Sequence, residues 1–509
     1  MSLTDCEPSA PHELGERLRS YEIWGCIGAG GMSRVWLGRH QLLAVPVIVK
    51  TVLSEYENDA KGEARVLSEA KLMARIASPR VVRALDAGIH ERRPYLVEEY
   101  VDGVDLDELD RRRRAALGVG LPLWFVCEVM QAACEALQSA HQTGVVHRDM
   151  KPSNLFGSPQ TGIRLGDFGI AAVANAGDEH EVSGTIRFMA PEQVRGAEPD
   201  PTIDVWGAGA TAFDLRYGHA PFSTLEALLD ENTRPAFPQP ATAAEAYFQH
   251  VLAGMLDKNR ERRAQRVLEP MRHFALLAQM LRAGTQHGSI EAIDRATFRV
   301  HDCIVRFREG DLAKASADAI VSSANDVLTM RSGVGEALRK AGGDAIEAEA
   351  VACGKQPLGS CVATTAGSLS AKHVLHAVSA WKEASCVGRA TQRALLLADE
   401  LGHRTLSFAA LGTGVTRVST EACASAMMTA VRQHLELGAT RLKEIEVVLW
   451  GKQSFDRYRE VGEDALHGRL ELGWHDIGLP APGREVRPDG GTWIDAQRVS
   501  GSRLHKPTG

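Results

Sequence analysis

Apolar and polar residues alternate in short runs near the start of the chain, and this pattern predicts β-strands. The runs YEIWGCI (residues 21–27) and VWLGRH (35–40) flank a glycine-rich stretch, so we expect a hairpin between two strands. A third run, VPVIVK (45–50), predicts the next strand, and RVLSEAKLMARIASPRVV (65–82) has apolar residues at helical spacing. Because glycine has no Cβ, the backbone N–H groups of such a hairpin can approach phosphates closely.

Beyond about residue 298 the pattern changes to apolar runs that alternate with alanine-rich helices. The predicted strands lie in RVHDCIVRFREGD (299–311), DAIVSSAN (318–325), HVLHAV (373–378), TLSFAALG (405–412) and EIEVVLWG (444–451). Such alternation predicts a mostly parallel sheet with helices on both faces. Ligands of that architecture bind at the carboxyl ends of the strands, where glycine loops meet helix N-termini.

Length, charge and cysteine usage narrow the class of protein. At 509 residues the chain predicts more than one domain, and a net charge of −7 argues against a general nucleic-acid binder, whose surface would be basic. Nine scattered cysteines without a C-x-x-C pair favour reduced thiols in a cytoplasmic protein. Without an apolar signal core or a run of about 18 apolar residues, we expect a soluble protein with no membrane partner. The basic run Arg111 to Arg114 is interpreted as a solvated helix face.

Six short motifs follow one another in the first half, and their order carries more information than any one of them. They are the glycine hairpin, a strand lysine (Lys50), a helix glutamate (Glu69), HRDMKPSN (147–154), IRLGDFGIA (163–171) and FMAPEQ (188–193). In this order they resemble the eukaryotic-like protein kinases, and the hairpin is most similar to that of the bacterial serine/threonine kinases. The resemblance covers about Leu18 to Leu281 and implies a bilobal α+β fold.

The resemblance also implies a site for phosphoryl transfer, which depends on positioning and charge neutralisation more than on covalent help from the protein. Asp149 would orient the substrate hydroxyl and accept its proton, and Lys151 would meet the charge that develops on the γ-phosphate. Asn154 and Asp167 would hold Mg²⁺ across the phosphates of ATP. A lysine at position 151 is typical of the serine/threonine kinases, so we expect serine or threonine of proteins as the acceptor.

The nucleotide site is assigned by the same resemblance to the hairpin, the next strands and the segment between the lobes. Lys50, fixed by an ion pair with Glu69, would hold the α and β phosphates. The other residues expected to line this site are Gly28, Gly30, Val35, Glu99 and Val101.

Two positions depart from the pattern of the kinases. The small residue expected two positions before the strand lysine is Ile48, and the apolar residue expected before the interlobe segment is Glu98. A carboxylate there must be hydrated, paired or protonated, because an unpaired buried charge is costly. We therefore expect both residues to restrict the adenine pocket and weaken ATP binding. Farther along, Arg262 is expected to pair with Glu192 and stabilise the fold.

The second half carries its own motifs: GDL (310–312), DAIVSSAND (318–326), GVGEALRKAGG (333–343), LGSCVATTAG (358–367), VLHAVSAW (374–381) and LGTGV (411–415). Over about Phe298 to Leu466 they resemble the macrodomain, an ADP-ribose-binding module. By this resemblance Asp311 would accept the adenine amino group, and Asn325 would bond the distal ribose. Backbone N–H groups on two loops would hold the diphosphate, and these residues are Gly333, Val334, Gly412, Thr413 and Gly414.

This half departs from its family in ways that favour binding over hydrolysis. Arg331 and Ser332 replace part of the glycine run in the first loop. Gly335 stands where one hydrolytic subgroup has an aspartate, and Glu336 comes one residue late. Phe455 either packs near the distal ribose or is an ordinary core aromatic.

The sequence thus predicts a multidomain protein, with a bilobal kinase fold (α+β) followed by a three-layer α/β/α macrodomain. The predicted segments are an N-terminal extension (1–17), the kinase domain (18–281), a linker (282–297), the macrodomain (298–470) and a tail (471–509). The leading hypothesis is an ATP- and Mg²⁺-dependent serine/threonine kinase whose macrodomain reads ADP-ribosylated proteins or free ADP-ribose. Two alternatives stay open. One is a binding scaffold whose kinase half is catalytically weak or silent, and the other is an ADP-ribosyl hydrolase regulated by the kinase half.

Overall fold

The computed structural model describes residues 17–29, 33–43, 45–52, 70–71, 73–90, 93–168, 186–284, 290–381, 384–414 and 418–468. Four predicted features lie outside these residues: the N-terminal extension except Arg17, Gly30, Glu69 and the tail from residue 471.

The N-terminal lobe is one antiparallel sheet of six strands. Its strands are β1 (Arg17–Leu18), β2 (Tyr21–Ala29), β3 (Ser33–His40), β4 (Pro46–Val52), β5 (Ala84–His90) and β6 (Arg93–Glu99). They are ordered β1-β2-β3-β4-β6-β5. The antiparallel pairing of β2 with β3 confirms the predicted hairpin.

The second lobe is mostly helical and completes the bilobal fold. Its elements are β7 (Val104–Asp105), α1 (Leu106–Leu117), α2 (Leu123–Gln142), β8 (Leu155–Ser158), β9 (Gly162–Leu165), α3 (Pro191–Val194), α4 (Pro201–Tyr217), α5 (Leu225–Leu229), α6 (Ala243–Met255) and α7 (Leu268–Gly284). Helix α1 starts where the Asp105 carboxylate accepts a hydrogen bond from the N–H of Glu108, and it ends at Gly118 with φ of 71°. Buried apolar residues of α2 and α4 form the centre of the core of this lobe.

The C-terminal domain is an eight-stranded sheet between helices, as the alternating pattern predicted. Its elements are β10 (Glu291–Asp294), β11 (Thr297–Val300), β12 (Cys303–Glu309), β13 (Ala319–Ala324), α8 (Gly333–Gly342), α9 (Ala345–Ala352), β14 (Cys361–Thr365), β15 (His373–Val378), β16 (Ala380–Trp381), β17 (Ala384–Ser385), α10 (Val387–Glu400), β18 (Thr405–Ala409), α11 (Thr420–Glu436), β19 (Glu444–Leu449) and α12 (Lys452–Leu466).

The order of the large sheet is β10-β11-β12-β19-β18-β13-β15-β14, and the four central pairings from β12 to β15 are parallel. Successive residues of a strand face opposite layers. Val321 accordingly packs in the core beneath α10 and α11, whereas Ile320 packs in the core beneath α8 and α9. The predicted three-layer architecture is confirmed.

The passage between the domains falls between the end of α7 and the start of β10, so both of these ends lie within the residues predicted as a linker. The domain boundaries themselves stay a prediction. Among the helices of the described residues, none combines the length and apolarity needed to cross a bilayer.

The two domains bury one apolar cluster between them, which we call the shared cluster. It consists of Trp24 and Leu37 from the N-terminal lobe and Leu328, Ala350, Leu358, Val378 and Cys386 from the C-terminal domain. All of these side chains are buried, and Ile48 and Tyr100 pack against them. The C-terminal domain therefore lies directly against the N-terminal lobe.

Helix α10 fixes the C-terminal domain to the segment between the lobes. The Asp102 carboxylate accepts hydrogen bonds of 2.9 Å from the backbone N–H groups of Gly388 and Arg389, in the first turn of α10. This carboxylate thus caps a helix of the other domain, where a negative charge is stabilised. One turn later, Gln392 accepts a hydrogen bond from the N–H of Val104 at 3.2 Å.

The basic run at residues 111–114 is exposed only at Arg111, so the prediction of a solvated face was wrong for the rest of the run. Arg112 and Arg113 lie on α1 against the C-terminal domain, and Arg114 contacts the helical lobe. Arg112 pairs with Glu400 at 2.6 Å, and Arg113, only 1% exposed, donates to the carbonyl oxygen of Leu437 at 3.2 Å.

Candidate functional site

The carboxylate of Asp204, on α4, organises the loop between α2 and β8. It accepts hydrogen bonds of 2.8 Å from the N–H groups of both His147 and Arg148, and it bonds Nε2 of His141 at 2.7 Å. These contacts hold Arg148 at φ of 69°, a conformation that most side chains adopt only at a cost in free energy. The loop is therefore fixed from beneath by the helical lobe.

The carboxylate of Asp149 has one oxygen engaged and one left open. Its Oδ2 lies 2.8 Å from Nζ of Lys151 and 3.3 Å from Nδ2 of Asn154, which also donates to the Asp149 carbonyl oxygen at 2.7 Å. Its Oδ1 is buried and has no hydrogen-bond partner within the described part of the chain. A buried acceptor of this kind costs free energy unless a ligand supplies the donor. The three predicted catalytic residues thus contact one another through Oδ2, and Oδ1 of the same carboxylate can receive a hydroxyl proton.

Lys50, at the centre of the N-terminal lobe, contacts two carboxylates. Its Nζ lies 2.7 Å from Oε2 of Glu98, and it also bonds Oδ1 of Asp167. Burial acts to lower the pKa of Lys50, but the two carboxylates raise that pKa above its usual range. Burial acts to raise the pKa of Asp167, but the Lys50 ammonium outweighs it and holds that pKa below its usual range. The predicted partner Glu69 lies outside the described residues, and the partner that the structure describes is Glu98.

The other described residues predicted for the nucleotide site belong to the strands next to Lys50 and to the segment between the lobes. Val35 on β3 is its cross-strand neighbour, and Gly28 on β2 pairs in turn with Val35. Glu99 ends β6, and Val101 is buried just beyond it, in the segment between the lobes.

The two residues predicted to bind metal are connected by the backbone. The N–H of Gly166 donates to the carbonyl oxygen of Asn154 at 2.9 Å, and Asp167 follows directly. The Asp167 side chain is 44% exposed, and its depressed pKa keeps it ionised. An ionised, accessible carboxylate and an amide oxygen are both ligand types that Mg²⁺ uses.

A buried ion pair secures the helical lobe near FMAPEQ, but its arginine is Arg263, not Arg262 as predicted. The guanidinium of Arg263 donates twice to the Glu192 carboxylate, at 2.5 and 3.0 Å, and has no exposed side-chain surface. Arg262 precedes it in a turn of ERRAQR without helical periodicity, so the pattern gave no way to tell which arginine points inward.

Two glycine-containing segments of the C-terminal domain follow the parallel strands β13 and β18, which pair with each other. The residues predicted to bind the diphosphate all belong to these loops: Gly333, Val334, Gly412, Thr413 and Gly414. The N–H of Gly412 donates to Oγ of Ser323 at 3.1 Å, which links the second loop to the end of β13. Gly333, with φ of 57°, begins α8, and a Cβ at Gly414 would meet nothing within 4 Å. Open space next to backbone donors and a helix N-terminus is suited to an anion.

Asn325 and Asp311 are each ordered by a short local contact. The side-chain amide of Asn325 donates to Oγ1 of Thr329 at 2.8 Å and accepts from its N–H at 3.0 Å. Asp311 accepts a hydrogen bond from the N–H of Ala313 at 3.0 Å and so caps a short 3₁₀ turn. Asn325 is exposed and Asp311 is partly exposed.

Trp450 is a candidate ligand-binding residue that the sequence prediction missed. It follows β19 directly and is 80% exposed. Leu449, before it, accepts a hydrogen bond of 2.9 Å from Gly310, so Trp450 lies next to the segment that carries Asp311. An exposed indole at the carboxyl edge of a sheet offers a stacking face for a nucleobase. The sequence feature that could have identified Trp450 is an aromatic residue at the end of the apolar run EIEVVLWG.

The residues that could take part in hydrolysis of an ADP-ribose linkage make other contacts in the structure. Glu336 forms an ion pair with Lys340 at 2.6 Å, and this cation lowers the pKa of Glu336. A Cβ at Gly335 would lie 3.4 Å from the backbone of Met330, so this position faces packed protein. Phe455 packs partly buried against the core beneath α11 and α12, which favours the core interpretation of this residue.

Comparison with known proteins finds two families along the chain. Residues 21–273 match the family model of the protein kinase domain, and residues 321–427 match that of the Macro domain. Serine/threonine-protein kinase PknB of Mycobacterium tuberculosis is 35% identical over 224 residues, which make up 42% of this chain and 34% of that protein. PknL of the same organism is 34% identical over 211 residues, 41% of this chain and 52% of that protein.

The chain therefore spans about a third to a half of the length of these relatives. Among solved structures, the kinase domain of M. tuberculosis PknI aligns with 51% of this chain and 96% of its own length, at 25% identity and a TM-score of 0.41.

Proposed function

Since the chain carries a protein kinase domain followed by a Macro domain, we propose that it transfers phosphate from ATP to serine or threonine residues of proteins and binds ADP-ribose. In this proposal the Macro domain reads ADP-ribosylated proteins or free ADP-ribose, and it does so as part of one unit with the kinase domain. The relatives named serine/threonine-protein kinases support the first activity.

The observation that carries the kinase proposal is that the two oxygens of the Asp149 carboxylate differ in their contacts. Lys151 and Asn154 hold one oxygen, which sets the orientation of the group. The other oxygen is buried and open to a donor, so it can orient a substrate hydroxyl and accept its proton. Lys151 lies beside the same carboxylate, where its ammonium can meet charge that builds up on a transferred phosphoryl group.

The remaining residues would bind and orient ATP. Lys50 would hold the α and β phosphates as a buried cation, and the glycine hairpin would cover them with backbone N–H groups. Asn154 and Asp167 would hold Mg²⁺, which when bound supplies positive charge to the phosphate oxygens. Val35, Ile48 and Val101 would enclose the adenine in apolar surface.

The Macro domain is proposed to be a reader more than a hydrolase. A Cβ at Gly333 or Gly414 would meet nothing within 4 Å, so both segments leave room for a diphosphate, and binding by backbone N–H groups needs no particular side chain. Trp450 and Asp311 would bind the adenine end, and Asn325 the distal ribose. Hydrolysis would also require a group that activates water near the distal ribose. Glu336 is paired with Lys340, and Asn325 is a poor base, so this alternative has little support.

In this proposal the Macro domain influences the kinase domain through the contacts between the two domains. The shared cluster includes Leu328, three residues after Asn325, and it packs against Ile48 at the nucleotide site. The loop proposed to bind the distal ribose and the strand proposed to cover ATP therefore belong to one packed unit. We propose that ADP-ribose binding biases kinase activity through this unit, in addition to raising the local concentration of modified substrates.

The test uses the full chain with labelled ATP, Mg²⁺ and a generic basic protein, with and without ADP-ribose. We expect transfer by the wild type, no transfer by Asp149→Asn, and a change in rate when ADP-ribose is added. Equal transfer by wild type and Asp149→Asn, or none by either, would contradict the kinase proposal. A rate that is independent of ADP-ribose at saturating concentration would contradict the coupling alone.

A further inference from the structure

Glu98 occupies a position from which it reaches the proposed ATP-binding lysine across the sheet. In the register of β4 and β6, Ile48 is opposite Glu98 and Lys50 is opposite Leu96. Residues two apart on a strand share a face, so Glu98 lies diagonally across from Lys50 on the same side of the sheet. The distance from Oε2 to Nζ is 2.7 Å, and the Glu98 side chain is 4% exposed.

The second carboxylate that contacts Lys50 belongs to Asp167, which has a different role in the proposed function. Asp167 is the residue expected to bind Mg²⁺, and a metal-bound carboxylate is less available to the ammonium. A buried cation without a counter-charge is costly. Glu98 is the remaining acidic partner of Lys50 among the described residues.

Stability alone does not explain Glu98. Its Oε1 is buried and has no hydrogen-bond partner within the described residues. Such an oxygen costs free energy, and an apolar side chain of similar size at this position would avoid that cost. The carboxylate therefore has an effect on Lys50 that an apolar residue could not have.

We propose that Glu98 is a positioning residue for the kinase reaction, and that it holds Lys50 in the orientation that binds the ATP phosphates. This inference rests on the proposed kinase function. Because β4 and β6 are hydrogen-bonded neighbours, the sheet itself fixes the distance between the two side chains. In this proposal the contact that orients Lys50 is supplied by the same strands that cover the nucleotide. The expectation from the sequence, that Glu98 and Ile48 restrict the adenine pocket and weaken ATP binding, stays a prediction, and for Glu98 this inference predicts the opposite effect.

The test compares Glu98→Gln and Glu98→Met with wild type, by kinetics with ATP and by calorimetric binding of Mg²⁺–ATP. Misplacement of a positioned group costs about 10- to 100-fold, so we expect kcat/KM for ATP to fall by that factor and the Kd to rise about tenfold. Because each variant leaves Lys50 with one described carboxylate in place of two, the midpoint of thermal unfolding should fall, and kinetics and affinity are measured well below it. Glu98→Asp, which keeps the charge on a shorter stem, should restore part of the activity.

Two further variants separate positioning from a structural effect. In a Lys50→Met background, Glu98→Gln should cause no additional loss of ATP affinity, since its target is gone. Glu245→Gln removes a buried carboxylate that pairs with Arg216 at 3.0 Å in the helical lobe, and it should leave kcat/KM unchanged.

Tighter ATP binding or unchanged kcat/KM in Glu98→Gln would overturn the inference. So would an equal loss of affinity with and without Lys50, or a wild-type chain that binds no ATP. If the wild type binds ATP but transfers no phosphate, the proposed function fails, and the affinities of the Glu98 variants still decide this inference.

Discussion

Glu108 of the kinase domain and Arg393 of the Macro domain form a two-point ion pair, with distances of 2.7 Å between Oε2 and Nη2 and 3.0 Å between Oε1 and Nε. Both side chains are largely buried, and Arg112 lies 3.2 Å from the same carboxylate. Burial acts to raise the pKa of Glu108, but the Arg393 guanidinium outweighs it and brings this pKa to about 2. The carboxylate therefore stays ionised at every pH at which the protein is expected to work.

Arg393→Ala should lower the free energy of unfolding by about 3 kcal/mol, because it leaves a buried carboxylate with only Arg112 as a partner. Chemical denaturation of the full chain measures this loss. The double variant Arg393→Met, Glu108→Met should lose less than the sum of the two single variants.

The matched control is Arg457→Ala, which removes an exposed partner of Glu421 and should change the free energy by less than about 0.5 kcal/mol. A loss for Arg393→Ala as small as that of the control would mean that the two domains separate readily.

Asp102 should make the stability of the folded chain depend on pH. Burial raises its pKa from 3.8 to about 6, while the N–H groups of Arg389 and Gly388 act to lower it. Since the folded state binds this proton more tightly than the unfolded chain, its stabilising effect is complete below pH 4 and is lost as the pH rises through 6. The difference in free energy of unfolding, wild type minus Asp102→Asn, should therefore fall by at most about 3 kcal/mol from pH 4 to pH 7.

Asp302→Asn, at a position whose side chain is 94% exposed, is the control for loss of a carboxylate. If the difference in free energy of unfolding, wild type minus Asp102→Asn, grew with pH, then α10 would stabilise the ionised carboxylate more than burial destabilises it.

Residues close together in sequence were predicted well, because the chain itself brings them together. Asp149, Lys151 and Asn154 lie within six residues, and they form one site in the structure. The hairpin of β2 and β3 was predicted for the same reason, since its two strands are neighbours in the sequence. The partner of Lys50 was harder to predict, since its contact with Glu98 depends on the register of β4 against β6. Residue types and spacing do not specify that register.

The packing of one domain on the other could not be predicted at all. Glu108, Arg113 and Arg393 occur in helices where charged residues are usually solvated, and nothing local distinguishes a charge that faces water from one that faces another domain. Trp24 and Leu37 likewise fit an ordinary strand pattern. Such contacts depend on two distant surfaces that match in shape and charge.

Asp149→Asn should reduce phosphate transfer at least ~10²-fold, because the amide cannot accept the proton of the hydroxyl. Transfer from labelled ATP to a generic basic protein measures the loss. Thermal unfolding and ADP-ribose affinity should match the wild type, since the substitution changes no contact between the domains. Asp302→Asn should transfer phosphate at the wild-type rate.

Gly414→Glu should abolish ADP-ribose binding by the full chain, because a side chain and a negative charge would enter the space beside the glycine loops. Calorimetry measures the affinity, and Gly254→Ala, in the kinase domain, should bind ADP-ribose as the wild type does. Against a mono-ADP-ribosylated protein, the wild type should bind but release little ADP-ribose. Rapid release that disappears in Asn325→Ala or Glu336→Ala would instead establish a hydrolase.

Trp450→Ala should weaken ADP-ribose binding about tenfold, within the range for loss of one base-stacking side chain. Trp450→Phe keeps an aromatic face and should recover most of the affinity. Quenching of indole fluorescence on ADP-ribose addition, absent in both variants, would locate the ligand at this residue. Wild-type affinity in Trp450→Ala would exclude a stacking role.

The shared cluster has a consequence for biosynthesis. Trp24 and Leu37 leave the ribosome early, whereas Val378 and Cys386, which cover them, are translated much later. At about 5–20 residues per second, the interval is roughly 20 to 70 s. During that time the nascent N-terminal lobe displays an uncovered tryptophan and leucine, a surface that a chaperone would recognise. Truncated mRNAs, or translation paused within the Macro domain, should therefore yield kinase domains that aggregate. The Macro domain thus supplies, late in synthesis, side chains that complete the packing of the N-terminal lobe.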